Sequence, residues 1–469
     1  MPVRLRRTKS ISLAQVEGEN LKERRLRATL PDQPIHKQRD SLLSSSSGYT
    51  NYRGFLNLCI ILLVLSNARL VLENIMKYGI LVDPIQWANL FINNPTESPS
   101  VLLLFSLLIF PLSSLGIEKL LANGFIGEMF GFMLVVILLI IELTAPPVIV
   151  YLTNCQAVAA SIVLGYVSVV FLKLVSYHMV NFWCRESLSK KVIPDKRIRR
   201  RSVSSDRQRK GHVIANGDLA SSIVTYPDNL TLKDMMYYLF APTLCYELNF
   251  PRSSRIRKRF LVKRVLEMVF LIQIILCLLQ QWVVPTINNS FKPLQEMDYF
   301  RMIERLLKLA IPNHFIWLLL FYWLFHSSLN VVAEILKFGD RHFYNDWWNS
   351  ETVDYFWQNW NIPVHKWCVR HLYKPMLRFG FTRRQAAIAV FFVSAFFHEY
   401  LVSVPLKMFK LWAFFGMLAQ LPFSIVVEKY FHNQYGNVAV WISLLIGQPL
   451  CILMYYHDYY VINFKTADV

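Results

Sequence analysis

The sequence predicts an all-α integral membrane protein with about nine transmembrane helices and an interfacial amphipathic helix. Three observations predict this fold class: the composition, a series of long apolar windows, and the placement of basic residues between those windows. Of 469 residues, 54% are hydrophobic and 17% are charged. That balance is too apolar for a soluble globular protein of this length.

The apolar windows are each long enough to cross a bilayer, for which a helix needs roughly 20 apolar residues. They lie near residues 55–75, 101–122, 127–153, 158–183, 260–285, 306–336, 386–406, 408–430 and 437–462. No signal-peptide pattern precedes the first window, so we expect it to be an uncleaved anchor with its N-terminal side in the cytosol.

Basic residues cluster on alternate sides of these windows. Residues 1–53 carry 11 Lys and Arg, residues 184–213 carry another 11, and residues 337–384 carry 8, whereas residues 76–100 and 286–300 carry one each. The positive-inside rule places the first three regions in the cytosol. The net charge of +19 therefore indicates topology and attraction to anionic lipid rather than nucleic-acid binding.

Two parts of the chain are predicted: a disordered basic cytosolic tail at 1–50 and one membrane domain at 51–469. The membrane domain includes a basic cytosolic loop at 184–213 and a cytosolic interfacial segment at 337–384. The loop is either a solvated topological signal or a substrate for a basophilic kinase. Seven cysteines show no metal-type spacing, so we expect no metal site.

Polar and aromatic residues concentrate between Phe343 and Asn361, a stretch with four Trp and four Asn. Such a segment is too polar to span a membrane and is expected at its interface. From Val364 the pattern becomes helical, with Lys366, Arg370 and Lys374 at spacings of four. This cationic stripe either rests on anionic lipid or binds a phosphate-rich substrate such as coenzyme A.

The stretch SAFFHEY (Ser394 to Tyr400) places two ionisable residues inside an apolar window. Such residues are costly in a bilayer and usually functional, although a packing role for His398 is the alternative. Neutral imidazole suits a general base that acts on an alcohol. Glu399 points about 100° away from His398 on a helix, so it either holds a neighbouring helix or orients a nucleophile.

Other polar residues also fall within the windows. Gln420 and Gln448 are candidates to line a reaction chamber, where their amides would donate hydrogen bonds to a substrate carbonyl oxygen. A further four either line a path or satisfy contacts between helices: Glu142, Lys173, His178 and His314.

Three motifs carry a family resemblance: FYNDWWN (Phe343 to Asn349), WNIPVHKWCVRHLYKPML from Trp360, and SAFFHEYLVSVPL from Ser394. They resemble the membrane-bound O-acyltransferase family, and the second resembles its branch that acylates diacylglycerol. The likeness extends over nearly the whole chain. It implies transfer of a fatty acyl group from acyl-CoA to the free hydroxyl of diacylglycerol, which forms triacylglycerol.

The resemblance also implies residue roles. His398 would be the general base, Asn361 would support the reacting geometry, and Glu399 would contact or orient the acyl acceptor. The expected acyl-CoA and diacylglycerol contacts are Trp357, Gln358, Asn359, Trp360, Asn361, Ile362, Pro363, Val364, His365, Tyr373, Ser394, Gln420 and Gln448. The family motif comprises Phe343, Tyr344, Asp346, Trp347, Trp348 and Asn349.

The same resemblance implies that acyl-CoA is a co-substrate, with no cofactor, and that the protein is a homodimer or homotetramer of the endoplasmic reticulum membrane. Two other functions stay open at this stage: acyl transfer to a sterol or long-chain alcohol such as retinol, and proton-coupled transport, which also uses intramembrane His and Glu. An acyl-enzyme on Cys368 is the alternative mechanism.

Overall fold

The computed structural model describes residues 53–83, 99–153, 155–192, 224–289, 299–432 and 434–463. The chain divides into two units, Met1–Lys77 and Tyr78–Val469. A single helix begins at Arg53 in the first unit and ends at Tyr78. The predicted tail at 1–50 and most of the predicted basic loop lie outside the described residues.

In the described part of the second unit the regular elements are helices. The α-helices are Pro99–Ser106, Ile109–Ala122, Glu128–Leu152, Ala157–Val192, Leu232–Phe240, Lys258–Leu278, Val284–Asn288, Tyr299–Phe321, Leu329–Ile335, Val353–Asn359, Ile362–Cys368, Lys374–Arg378, Arg383–Leu406, Trp412–Leu418, Gln420–Tyr430 and Gln434–Asn463. Three of the junctions between them are π-helical: Leu279–Val283, Tyr322–Ser328 and Val369–Tyr373. The predicted all-α fold class is confirmed.

Six helical stretches of the described chain are long and apolar enough to cross a membrane: Pro99–Ala122, Glu128–Leu152, Ala157–Ser189, Phe300–Ile335, Arg383–Leu406 and Gln434–Tyr459. The predicted count of nine is therefore not confirmed. The windows at 55–75 and 260–285 are helical but are not among the six. The window at 408–430 is broken at Ala419 into two short helices, and the first has 7 residues, about 10 Å of α-helix.

The helix Ala157–Val192, here called the central helix, holds the helix Leu232–Phe240 through Lys173. The buried ammonium donates to the carbonyl oxygens of Tyr238, Leu239 and Ala241 at 2.8, 2.9 and 2.7 Å. These carbonyls lie at the C-terminal end of the helix Leu232–Phe240, where a cation is favoured. All three ammonium donors are therefore used in holding one helix against another.

The other polar residues predicted in the membrane windows divide into two kinds. His178 satisfies a helix contact, since its Nδ1 lies 2.6 Å from Oε1 of Glu118, which is also paired with Arg185. Glu142 and His314 are buried, and their polar side-chain atoms form no hydrogen bond with any residue that the structure describes.

The helix predicted from Val364 begins at Ile362 and continues through its π-helical turn to Arg378. The widened turn rotates the side chains that follow it relative to α-helical spacing. A straight stripe of Lys366, Arg370 and Lys374 is therefore not formed. Two of these cations are also already engaged, because Lys366 pairs with Asp340 at 2.9 Å and Arg370 donates to the carbonyl oxygen of Tyr246 at 3.0 Å.

Replacing the buried lysine tests its role in the fold. Lys173→Met keeps the apolar stem but removes the ammonium that donates to the carbonyl oxygens of Tyr238 and Leu239, which costs about 1–3 kcal/mol. The Ala241 carbonyl oxygen still accepts from the Thr243 N–H. We expect a thermal midpoint several degrees lower in detergent. The matched control is Lys119→Met, since Lys119 is exposed on the helix Ile109–Ala122. An equal midpoint for both variants would contradict this role.

Candidate active site

The helix Arg383–Leu406, here called the histidine helix, has a defined start and end. Thr382 and Gln385 form a capping box at its N-terminus, in which Thr382 Oγ accepts from the Gln385 N–H at 3.3 Å. Its C-terminal cap, Lys407, has a φ of 54°. The helix packs on the central helix, where the Phe397 and Phe171 ring centroids are 5.9 Å apart.

His398 has its tautomer set by its own helix. Its Nδ1 lies 2.7 Å from the carbonyl oxygen of Ser394. A carbonyl can only accept, so Nδ1 carries the hydrogen and Nε2 carries the lone pair of the neutral ring. The residue is exposed in the structure, so its ring is accessible. Within the described chain, no residue forms a hydrogen bond with Nε2.

Glu399 is buried and accepts hydrogen bonds from four donors. Its Oε2 accepts from the Tyr455 hydroxyl at 2.7 Å and from the Phe414 N–H at 3.0 Å, while Oε1 accepts from the Leu411 N–H at 3.0 Å and from the Ser403 hydroxyl. The carboxylate therefore holds a neighbouring helix and turn, which is one of the two roles that the sequence left open. Its predicted contact with the acyl acceptor stays a prediction.

The accessible face of the histidine helix turns toward the predicted acyl-CoA segment. Phe391 and His398 are seven residues apart, so they lie within about 20° of each other and about 10 Å apart along the helix. The ring of Phe391 meets that of Trp357, with centroids 6.3 Å apart and nearly perpendicular planes. His398 thus faces the same side as Trp357, and Ser394 lies on that face between them.

Gln448 lies on the helix Gln434–Asn463, here called the last helix, midway along a stripe of three residues at spacings of seven. Trp441, at one end, contacts Trp347 of the motif with ring centroids 5.8 Å apart. Tyr455, at the other end, donates to Glu399. Because side chains seven apart share a helix face, Gln448 is directed between the motif segment and the histidine helix.

The motif FYNDWWN forms the base of an aromatic cluster. Trp347 is 3% exposed and meets Trp317, Phe321, Phe356 and Trp441. Its Tyr344 hydroxyl lies 2.7 Å from Nδ1 of His326.

Other motif residues close the turn around this cluster. Asp346 accepts from the Tyr355 hydroxyl at 2.8 Å, which holds the pKa of Asp346 below its ordinary value, and from the Asn349 amide at 3.4 Å. Phe343 is buried beneath the segment, whereas Trp348 and Asn349 are exposed.

Asn361 begins the interfacial helix. Its Oδ1 accepts from the Val364 N–H at 3.2 Å, and Ile362 donates its N–H to the carbonyl oxygen of Phe343 at 3.0 Å. Pro363 occupies the second position of the helix, which needs no N–H donor. Asn361 therefore joins the motif to the interfacial helix, and its amide nitrogen has no partner among the described residues.

Residues 143–457 match the membrane-bound O-acyltransferase family. The chain belongs to this family. Diacylglycerol O-acyltransferase 1 of Bos taurus is 55% identical over 433 residues, which cover 92% of this chain and 86% of the relative. The protein of that name from Homo sapiens is 55% identical over 92% of this chain and 85% of its own length, and the one from Corylus americana is 36% identical over 91% and 76%.

In this acyltransferase the predicted substrate contacts do not all lie in one place. Trp357 and Trp360 belong to the aromatic cluster, and Asn359 donates to the Tyr355 carbonyl at 2.8 Å and accepts from Asn345 at 2.6 Å. Gln358 is exposed. The rest are half-buried on other elements: Val364, His365 and Tyr373 on the interfacial helix, and Gln420 at the break between the two short helices.

Three residues of the acyltransferase site region carry contacts that no motif indicated. Asn313 donates to Gln448 at 3.3 Å, and His326 meets Tyr344. His371, on the interfacial helix, lies 2.8 Å from the Ser176 hydroxyl, and burial together with the neighbouring Arg370 lowers its pKa to about 4. For Asn313 and His326 the signal was a polar residue in an apolar helix, and for His371 it was a histidine in the amphipathic interfacial helix; neither signal specifies a partner.

Changing the buried carboxylate distinguishes its two roles. In Glu399→Gln one oxygen becomes an NH₂ group, which cannot accept from Phe414 or Tyr455, so we expect a lower thermal midpoint together with lost acyl transfer. Glu428→Gln, at an exposed position, should change neither. An unchanged midpoint with a raised KM for the acceptor alone would assign Glu399 to substrate binding instead.

Proposed function

We propose that this protein is an acyl-CoA:diacylglycerol O-acyltransferase that forms triacylglycerol, with His398 as its general base. This proposal rests mainly on the His398 ring, which lies on the helix face that meets Trp357 and whose Nε2 has no hydrogen-bond partner among the described residues. The named relatives at 55% identity over nearly the whole chain support diacylglycerol as the acceptor. Membership of an acyltransferase family leaves no support for a transporter.

In the proposed reaction, Nε2 of His398 removes the proton from the free hydroxyl of diacylglycerol. The hydroxyl oxygen attacks the thioester carbonyl carbon of acyl-CoA, and the carbonyl oxygen becomes an oxyanion. The C–S bond then breaks, and the coenzyme A thiolate takes the proton from the imidazolium. A general base of this kind contributes roughly 10²–10⁴-fold.

The amide groups near the histidine helix suit the charge that develops in this reaction. Gln448 is directed between the motif segment and the histidine helix, and amide N–H donors stabilise an oxyanion without adding a net charge to the bilayer. Asn361 lies within the predicted acyl-CoA segment, and its amide nitrogen has no partner among the described residues. Because the thioester is already activated, the proposed reaction uses acyl-CoA as co-substrate and requires neither a metal nor a cofactor.

The location and assembly of the protein belong to the same proposal. We place its N-terminus in the cytosol on the strength of the basic residues at 1–53 and 337–384. The family resemblance supports the endoplasmic reticulum membrane. The interfacial segment would then face the cytosol, where acyl-CoA is soluble, while diacylglycerol arrives through the bilayer. The family resemblance supports a homodimer or homotetramer.

A microsomal assay with labelled oleoyl-CoA and added diacylglycerol tests the function. We expect the wild-type protein to form labelled triacylglycerol. His398→Ala should form it at least about 100-fold more slowly, because no described group replaces the base. Asn249→Asp controls for expression and insertion, because Asn249 is far from the histidine helix in sequence and its side chain is hydrogen-bonded to Val224. Equal triacylglycerol formation by wild type and His398→Ala would refute the mechanism.

Competing acceptors in the same assay test the choice of alcohol. Cholesterol, retinol, a long-chain alcohol and monoacylglycerol are each supplied beside diacylglycerol at equal concentration. We expect triacylglycerol to be the main labelled product. A larger yield of sterol ester or wax ester would keep the acyl transfer but overturn the proposed acceptor.

Cys368 provides the test between direct transfer and an acyl-enzyme. Burial and the nearby Cys245 raise its pKa to about 12, so at neutral pH almost none of it is the thiolate that attacks a thioester. We therefore expect Cys368→Ala to keep most of the wild-type kcat and to show no labelled protein after brief exposure to labelled oleoyl-CoA. Loss of activity with an intact thermal midpoint would favour the acyl-enzyme.

A further inference from the structure

Asn313 and Gln448 form a hydrogen bond between two membrane helices. Asn313 lies on the helix Tyr299–Phe321, and its Nδ2 donates to Oε1 of Gln448 at 3.3 Å. Both side chains are half-buried. One turn along the same helix, Trp317 stacks on Trp360 of the predicted acyl-CoA segment, with ring centroids 6.1 Å apart. The amide pair therefore lies about one helical turn from a contact with that segment.

The direction of this hydrogen bond decides what Gln448 can offer to a substrate. A primary amide has one oxygen that accepts and one nitrogen that donates twice. Because Asn313 occupies the oxygen, the amide of Gln448 is turned so that its NH₂ group faces away from Asn313. No hydrogen bond from that nitrogen reaches another described residue.

We propose that Asn313 is a positioning residue that fixes the amide orientation of Gln448, so that Gln448 presents N–H donors, and not its oxygen, to the thioester oxyanion. This inference rests on the proposed acyl transfer and deepens it. The stripe Trp441, Gln448, Tyr455 directs Gln448 toward the space between the motif segment and the histidine helix. An amide turned the other way would place a partial negative charge against the oxyanion.

A purely structural role makes a different prediction. A single hydrogen bond between membrane helices contributes little to stability on average. Such a bond would affect the thermal midpoint slightly, and it would not depend on which partner donates. The positioning role depends on residue 313 donating the hydrogen bond. Replacing that donor with an acceptor is therefore the informative change.

The experiment compares Asn313→Asp with Asn313→Leu in the full-length enzyme, in the assay of triacylglycerol formation. Aspartate has nearly the same shape but only accepts, so it draws the Gln448 NH₂ group to itself. Leucine leaves the amide free to rotate. We expect Asn313→Asp to lower kcat by about 100-fold or more, as for loss of an oxyanion donor, with KM for oleoyl-CoA nearly unchanged, and Asn313→Leu to lose less. Asn313→Gln, which keeps the donor, should restore part of the rate.

A double-mutant cycle isolates the coupling. In a Gln448→Leu background, Asn313→Asp should cause no further loss, because no amide is left to orient. Equal losses for Asn313→Asp and Asn313→Leu, or an undiminished effect of Asn313→Asp in the Gln448→Leu background, would overturn the positioning role. Asn249→Asp, the same chemical change outside the site, should keep the wild-type kcat.

Failure of this inference and failure of the proposed function give different results. If wild type forms triacylglycerol and His398→Ala does not, while every Asn313 variant keeps its kcat, only the positioning role is wrong. If wild type forms no ester with any acceptor, the proposed function is wrong, and the positioning role that rests on it falls with it. Thermal midpoints near the wild-type value show that the kcat values refer to folded protein.

Discussion

The buried carboxylate of Glu399 is the interaction on which the rest of the candidate site depends. A charge in this position is tolerable only when its lone pairs are satisfied, and four donors from three parts of the chain do so. They tie the histidine helix to the turn around Leu411 and to the last helix. Since Glu399 follows His398 directly, the same contacts fix the ring relative to the helix that bears Gln448.

The aromatic cluster supports the site from its other end. Trp347 and Trp441 join the motif segment to the last helix. On the helix that carries Asn313, Trp317 meets Trp347 and His314 meets Trp441. The rings are large and rigid, so they hold the backbone around Trp360 without polar contacts that lipid would penalise. The last helix therefore spans the distance between an apolar anchor at Trp441 and a polar anchor at Tyr455, with Gln448 halfway between them.

The sequence predicted the membrane class and singled out His398 as a candidate base, because hydropathy and the cost of an intramembrane charge are local properties. The role of His398 stays a prediction. It did not predict that the backbone N–H groups of Leu411 and Phe414 would donate to Glu399. Both donors lie in the window at 408–430, which the structure breaks into two short helices. The π-helical turn that disrupts the cationic stripe likewise cannot be predicted from the spacing of the basic residues. Nor could a pattern reveal that Asn313 would meet Gln448, since the two are 135 residues apart.

The hydrogen bond between His398 and Ser394 lies wholly within one helix. Neighbouring helices can therefore separate, turn or slide without altering which ring nitrogen carries the proton. This independence suits an enzyme whose proposed product, with three long acyl chains, must leave between its helices into the bilayer. The lipid path can open and close at each turnover, while the chemically sensitive group stays prepared for the next molecule.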